Sequence, residues 1–461
     1  MVHHNKLRRD ANEHTVYAVA ENEGTSLLLQ KVHKILKDHC YLPPLYCSFD
    51  MFGQLQTTVQ FFLRNIGALY LTSTGRITYR RELIAVEDGE TIALDWVVQN
   101  RKNDIQKGAG GGNSTSCSER AFDSERNSTV PTLILHHGLC GDSSSEHIVF
   151  MARKFLSCYR EYRIVVVIAR GCGGTELLTT DTMHGARTSD LRAAIKHIHS
   201  KSPKSRLFGM GFSLGACVML KYLGEEGEGT ELEAAFCVSP PWDGREQTPM
   251  YQLWSVVLAL PVKLYALRHR HRLKRTLDLT RILTAPTLSD VDAMLAGSYG
   301  FGGRDDYYAA CSPLPLAGSI SVPTIALSAK DDPVCLHKTA PISFLQFSLP
   351  TSSSSSTVHT PLSDDKTKSS SNSSSDDHQN KNSNNPPSAI PPPSPSCRLI
   401  IIKTLLGGHL AFPSSTTTPS VSPSSIPSFS IPPYLSFPLS SLCDAWCDDV
   451  ALDWIESFFV E

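Results

Sequence analysis

The chain predicts an α/β fold, a mostly parallel twisted sheet flanked by helices, and three observations carry that expectation. Short apolar runs rich in β-branched residues recur at Thr132 to Leu135, Ile164 to Ile168, Ala234 to Val238, Thr324 to Leu327 and Leu399 to Ile402, and Arg206 to Gly211 is a further short, largely apolar run. They are too short for helices and read as buried strands. Between two of them, Ser189 to Ser200 places Leu191, Ala194, Ile195 and Ile198 on one helical face behind Ser189, a candidate N-cap. Such alternation builds a parallel sheet whose reactive groups gather in loops beyond the strand C-terminal ends. Third, Gly211-Phe212-Ser213-Leu214-Gly215 lies where one run meets Leu214, Val218 and Tyr222 at helical spacing. That order, strand then serine then helix, is a turn that presents a serine hydroxyl for attack, with flanking glycines relieving a collision around a strained backbone.

In chain order, residues 1–24 are polar and expected to be disordered, and 25–78 form an N-terminal helical segment. Tyr79 to Val86 and Thr91 to Val98, joined through Asp88-Gly89, read as an antiparallel hairpin at a sheet edge. Residues 79–461 make up the α/β domain, interrupted by a flexible loop at 107–126 containing Gly110-Gly111-Gly112. The stretch 244–310, between a late strand and the acidic turn near residue 332, is expected to form a helical lid. Two tracts dominated by Ser, Thr, Asn and Pro, 351–396 and 413–440, read as disordered surface insertions.

At 461 residues and 41% hydrophobic content, the chain can bury a large core. A formal net charge of −2 offers no global field for nucleic acid, which is not expected as a partner. The thirteen cysteines are scattered, odd in number and partly inside apolar runs, as at Cys217 and Cys237. Buried free thiols in a reducing compartment fit this better than a disulfide framework, and no paired-cysteine metal spacing is present. No cofactor or metal is expected. The polar N-terminus lacks the apolar region of a signal peptide and no apolar stretch is read as long enough for a membrane span, so the expected location is cytoplasmic or peripheral on an internal membrane.

A serine nucleophile needs an imidazole to take its proton and a carboxylate to orient that imidazole, in the chain order serine, acid, histidine for this type of fold. The acid falls in Ser328-Ala329-Lys330-Asp331-Asp332-Pro333, beyond the Thr324 to Leu327 strand, with Asp332 the first candidate and Asp331 its close competitor. The histidine candidate is His409, in Gly407-Gly408-His409 after the last strand. Oxyanion donors are expected from the backbone N–H of Leu214 and of Leu139, which follows His136-His137-Gly138 at the end of an early strand. His136 and His137 precede the nucleophile and read as loop-shaping residues. The His137-x4-Asp142 spacing known from acyltransferases is taken as coincidence, and Arg170-Gly171-Cys172-Gly173-Gly174 as a tight turn rather than a cysteine nucleophile.

These features together resemble the α/β-hydrolase superfamily, and more narrowly its YheT/EMB8-like group, which includes the ABHD1, ABHD2 and ABHD3 type lipases. The resemblance rests on Arg81-Glu82-Leu83 with Asp88-Gly89, Ala93-Leu94-Asp95-Trp96, His137-Gly138-Leu139, Arg170 to Gly174, Gly211 to Gly215, Asp331-Asp332-Pro333 and Gly407-Gly408-His409. It implies a triad of Ser213, Asp332 and His409, and ester hydrolysis on acylglycerols or phospholipids through an acyl-serine. It also implies an alternative in the same family, transfer of the acyl chain to an alcohol. A third expectation is a non-catalytic lipid-binding protein on the same fold. Leu253 to Leu267 is the longest apolar stretch and precedes the basic run Arg268 to Arg275, so 253–275 is a candidate for peripheral membrane contact as well as for covering an acyl pocket.

Overall fold

The central strands are short and buried on both faces. The computed structural model describes residues 14–18, 23–39, 53–98, 129–342, 347–350, 393–394, 396–405, 407–410, 412 and 445–459. In chain order its strands are β1 (Thr15–Ala18), β2 (Thr78–Ala85), β3 (Thr91–Val98), β4 (Thr132–His136), β5 (Arg163–Ile168), β6 (Leu207–Phe212), β7 (Leu232–Val238), β8 (Thr324–Ala329), β9 (Phe347–Pro350) and β10 (Leu399–Thr404). The α-helices are α1 (Glu23–Asp38), α2 (Gly53–Ser73), α3 (Glu146–Ser157), α4 (Ser189–Lys201), α5 (Leu214–Glu226), α6 (Pro249–Arg268), α7 (Arg270–Leu273), α8 (Leu279–Thr284), α9 (Leu288–Ser298), α10 (Arg304–Cys311) and α11 (Trp446–Glu456).

All ten strands join one sheet in the order β2-β3-β5-β4-β6-β7-β8-β10-β1-β9. The six expected runs form its parallel centre. The hairpin β2–β3 closes one edge antiparallel to β5, and Gly89 takes the positive φ of 80° that its turn requires. Along β4 the two-residue period divides the core. Leu133 and Leu135 pack into the layer holding α1, α3 and α11, whereas Ile134 packs into the layer of α4 and α5.

Three expectations are corrected. Residues Thr15–Ala18 are not a disordered tail: they pair antiparallel with β10, burying Val16 and Ala18. Their β-branched and aromatic composition suits a strand, but the partner lies at the far end of the chain, beyond the reach of a local pattern. Ser189 is the first residue of α4 rather than its cap; Thr188 precedes it and donates its hydroxyl to Glu225. Finally, α6 is longer than the apolar run alone indicates. Thr248 accepts a hydrogen bond from the Tyr251 N–H and Pro249 starts the helix, so α6 reaches 20 residues and is long and apolar enough to cross a membrane by length and composition. The loop at 107–126 and the tract at 413–440 lie outside the described residues, as does all of 351–396 except 393–394 and 396.

Between β7 and β8 the chain leaves the sheet to form α6 to α10. Thr287 and Asp290 start α9 with a reciprocal capping box, and Asp278 caps α8. Helix α6 buries Ser255, Ala259, Val262 and Ala266 toward its neighbours. Its outer stripe is apolar too: Leu253, Val257, Leu260 and Leu264 are each 57–60% exposed. The nine described cysteines are all free.

Candidate active site

At the C-terminal end of β6 the chain turns directly into α5, and Ser213 sits at the junction with φ 51° and ψ −119°. A positive φ is costly for a side chain with a Cβ, so the surroundings must impose it. They do so by proximity. A Cβ on Gly211 would lie 2.6 Å from the Ala216 Cα, and one on Gly215 would lie 2.3 Å from the His137 carbonyl oxygen and 2.4 Å from that of His136. The Ser213 N–H donates to the Val238 carbonyl at 2.9 Å, tying the turn to the next strand.

The loop after β10 brings His409 over this serine. Nε2 of His409 lies 3.0 Å from Ser213 Oγ, and Nδ1 lies 3.1 Å from Asp332 Oδ2. The other Asp332 oxygen accepts the backbone N–H groups of Val334 and Cys335, both at 2.8 Å. These two bonds hold the carboxylate while its Oδ2 meets the imidazole. Asp331 points elsewhere: its carboxyl accepts the Gly408 N–H at 2.8 Å, and burial lifts it to about 6. Thus Asp332 meets the ring while Asp331 holds the loop that carries it. Thr57, near the start of α2, accepts the His409 N–H at 2.8 Å; no local motif marks that residue, because the two are joined only by the fold.

The loop after β4 supplies the opposite wall. Gly138 packs on Ser213, where even a Cβ would meet the serine Cβ at 3.5 Å. Leu139 and Leu214 both border the cavity that opens on Ser213, and Leu214 begins α5, where backbone N–H groups have no intrahelical acceptor. His137 uses both ring nitrogens within the protein. Nε2 accepts the Ala169 N–H at 3.1 Å, so Nδ1 carries the proton and donates to the Gly138 carbonyl at 2.7 Å. Burial depresses His137 to about 4 and His136 to about 3, so both are neutral. Asp142 instead accepts the Ser144 N–H and hydroxyl, and no hydrogen bond joins it to His137 among the described residues.

Several residues of the resemblance form a brace beneath the site. Arg81 makes a two-pronged pair with Asp95 at 2.7 Å on each arm and donates to the Gly173 carbonyl. Fully buried Arg170 grips Asp190 through Nε and Nη2 and reaches Asp88 through Nη1. The turn between them receives the end of α6: Tyr265 donates to the Arg170 carbonyl and His269 to the Gly171 carbonyl at 2.7 Å. A Cβ at Gly171 would strike the Tyr265 hydroxyl at 2.5 Å. Cys172 is buried and its thiol is pushed well above the ordinary range by desolvation, which makes it a poor nucleophile.

Two chambers adjoin, one of them lined by Ser213. One contains Ser213 and is walled by Leu139, Tyr251, Leu258, Leu288 and Tyr308. The other runs among Val262, Ala266, Leu273, Ile282 and Leu295. Leu139, Leu214, Asp292 and Tyr307 border both. Asp292 accepts the Tyr308 hydroxyl at 2.8 Å, and burial raises its carboxyl to about 7. No motif marks this acid, which sits within α9.

A hydroxyl bonded to an imidazole, whose second nitrogen meets a buried carboxylate, is an arrangement suited to removing the hydroxyl proton during attack on a carbonyl. A family model described as alpha/beta hydrolase fold matches residues 131–278. Human Phospholipase ABHD3 is 31% identical over 312 residues, covering 65% of this chain and 68% of that protein. The Monoacylglycerol lipase of Saccharomyces cerevisiae is 30% identical over 217 residues, 44% of this chain and 48% of that protein. From the same yeast, Medium-chain fatty acid ethyl ester synthase/esterase 2 is 23% identical over 339 residues, 58% of this chain and 71% of that protein. The chain belongs to the α/β-hydrolase family and is of its ABHD type.

Proposed function

We propose that the protein is a serine hydrolase that cleaves carboxylic esters of lipids, acylglycerols or phospholipids, through an acyl-serine intermediate. The observation that carries this reading is the unbroken Ser213–His409–Asp332 hydrogen-bond chain whose serine lines a mainly apolar cavity. His409 Nε2 takes the proton of Ser213 as Oγ attacks the ester carbonyl, while Asp332 stabilises the imidazolium that forms. The N–H groups of Leu139 and Leu214 hold the oxyanion. Collapse breaks the bond to the alcohol, which receives the proton from His409. Water, activated by the same imidazole, then releases the fatty acid.

Lipid substrates are favoured by the chamber walls, whose leucines and tyrosines suit an acyl chain, and by the relatives named as a phospholipase and a monoacylglycerol lipase. Segment 244–310 serves as the lid over that chamber. The exposed leucine and valine stripe of α6, followed by Arg268, Arg270, Arg272, Lys274 and Arg275, suits peripheral contact with an anionic internal membrane. A second reading, transfer of the acyl chain to an alcohol, is favoured by the yeast relative named both synthase and esterase. Incubating the protein with mixed acylglycerols, phospholipids and short esters, with and without ethanol, tests both. Free fatty acid from lipid esters is the expected product; ethyl esters as the main product would replace hydrolysis by transfer, and no turnover of any ester would refute both.

A further inference from the structure

Asp332, Cys335 and His409 each offer one ligand atom, and the three atoms lie within 4.8 Å of one another. The donors are a carboxylate oxygen, a sulfur and an imidazole nitrogen, a set that suits Zn²⁺ and other soft or borderline ions far better than Mg²⁺ or Ca²⁺. From these residues we infer that the protein carries an inhibitory Zn²⁺ site superimposed on its triad.

The placement follows from the turn after β8. Asp332 holds the backbone N–H of Cys335 at 2.8 Å, and the Cys335 sulfur lies within 4.8 Å of the ligand atoms of Asp332 and His409. Ser213 and Cys335 line the same chamber, which gives an ion a path in from solvent. Cys335 is a free thiol, with no disulfide to occupy its sulfur. Tetrahedral zinc with bonds of about 2.0–2.3 Å separates its ligands by roughly 3.3–3.8 Å. Closing the present spacing therefore takes a movement of about 1 Å. The Gly407-Gly408 hinge beside His409, with Gly408 at φ 58°, is a suitable place for it.

Binding displaces the thiol proton to solvent, leaving Zn²⁺ held by thiolate, carboxylate and neutral imidazole, with Ser213 Oγ or water in the fourth position. The imidazole then cannot both hold the metal and pair with Ser213 and Asp332, so proton transfer from Ser213 stops. The inhibitory consequence rests on the proposed acyl-serine chemistry; the metal site itself does not.

The test separates the two. Titrating the full chain with Co²⁺ should produce thiolate-to-cobalt charge-transfer absorption, part of which is lost in both Cys335→Ala and His409→Gln, each checked for an unchanged circular dichroism melt. Cys335→Ser provides a second variant should the alanine variant melt early. If the absorption is equal in the wild type and both variants, or absent throughout, the site does not exist. Zn²⁺ inhibition of ester hydrolysis, read as a ratio within each variant, should need roughly 10- to 100-fold more metal in Cys335→Ala, by analogy with the cost of damaging a metal site. Mg²⁺ should not inhibit. Equal Zn²⁺ sensitivity with and without Cys335 overturns the inference even where hydrolysis is confirmed.

Discussion

Replacing Gly215 by alanine sets two physical effects against each other with opposite signs. Gly215 lies in the first turn of α5, where alanine ordinarily stabilises a helix by about 1 kcal/mol over glycine. Here the added Cβ would sit 2.3 Å from the His137 carbonyl oxygen and 2.4 Å from the His136 carbonyl oxygen. Both obstacles are backbone, so relief means moving either α5 or the loop ending in Leu139 by about 1 Å to restore van der Waals contact. Overpacking of this kind costs about 1–3 kcal/mol, enough to reverse the helix preference. A displacement of about 1 Å between nucleophile and oxyanion donors also costs on the order of 100-fold in rate. The expected outcome for Gly215→Ala is a lower urea midpoint at an unchanged m-value, and ester hydrolysis reduced about 100-fold. A midpoint equal to or above that of the wild type would refute the close approach of α5 to the β4 loop.

Other outcomes follow from the same geometry. Asp332→Asn should lower kcat by about 10³- to 10⁴-fold by leaving the imidazole wrongly oriented, whereas Asp331→Asn, which keeps an oxygen for the Gly408 N–H, should cost about tenfold or less; equal losses would contradict the division of labour between the two acids. Asp292 is lifted by burial from 3.8 to about 7, equivalent to about 4 kcal/mol. Between those values the native state holds a proton that the unfolded chain has released, so stability falls as pH rises through the window. The melting temperature of Asp292→Asn relative to wild type should therefore climb from pH 4 to pH 8, and a constant difference would count against a neutral, cavity-facing acid. Replacing Leu253, Val257, Leu260 and Leu264 by serine should weaken co-sedimentation with anionic vesicles at least about tenfold, since each buried leucine contributes about 1.5–3 kcal/mol; unchanged binding would place the membrane contact elsewhere.

Much of the fold was legible because its information is local. Each central strand is a buried apolar run of five to seven residues, and the helix after Ser213 announces itself by period. Ser213, Asp332 and His409 were nameable for a related reason: each follows a strand, and in this architecture strand ends converge. What the sequence hid depends on long-range pairing or side-chain direction. Strand β1 becomes visible only against β10. Asp331 and Asp332 are neighbours of identical chemistry, and only the turn decides that one meets His409 and the other the Gly408 N–H. Thr57 and Asp292 reach the site from helices whose sequences show ordinary helical patterns.

The role of Ser213 as the acyl-accepting nucleophile is tested most directly by reaction with a fluorophosphonate probe and mapping of the labelled peptide by mass spectrometry. The geometry predicts one label on Ser213, lost in Ser213→Ala together with ester hydrolysis. Equal labelling of Ser213→Ala, or a label on another residue in the wild type, would contradict it.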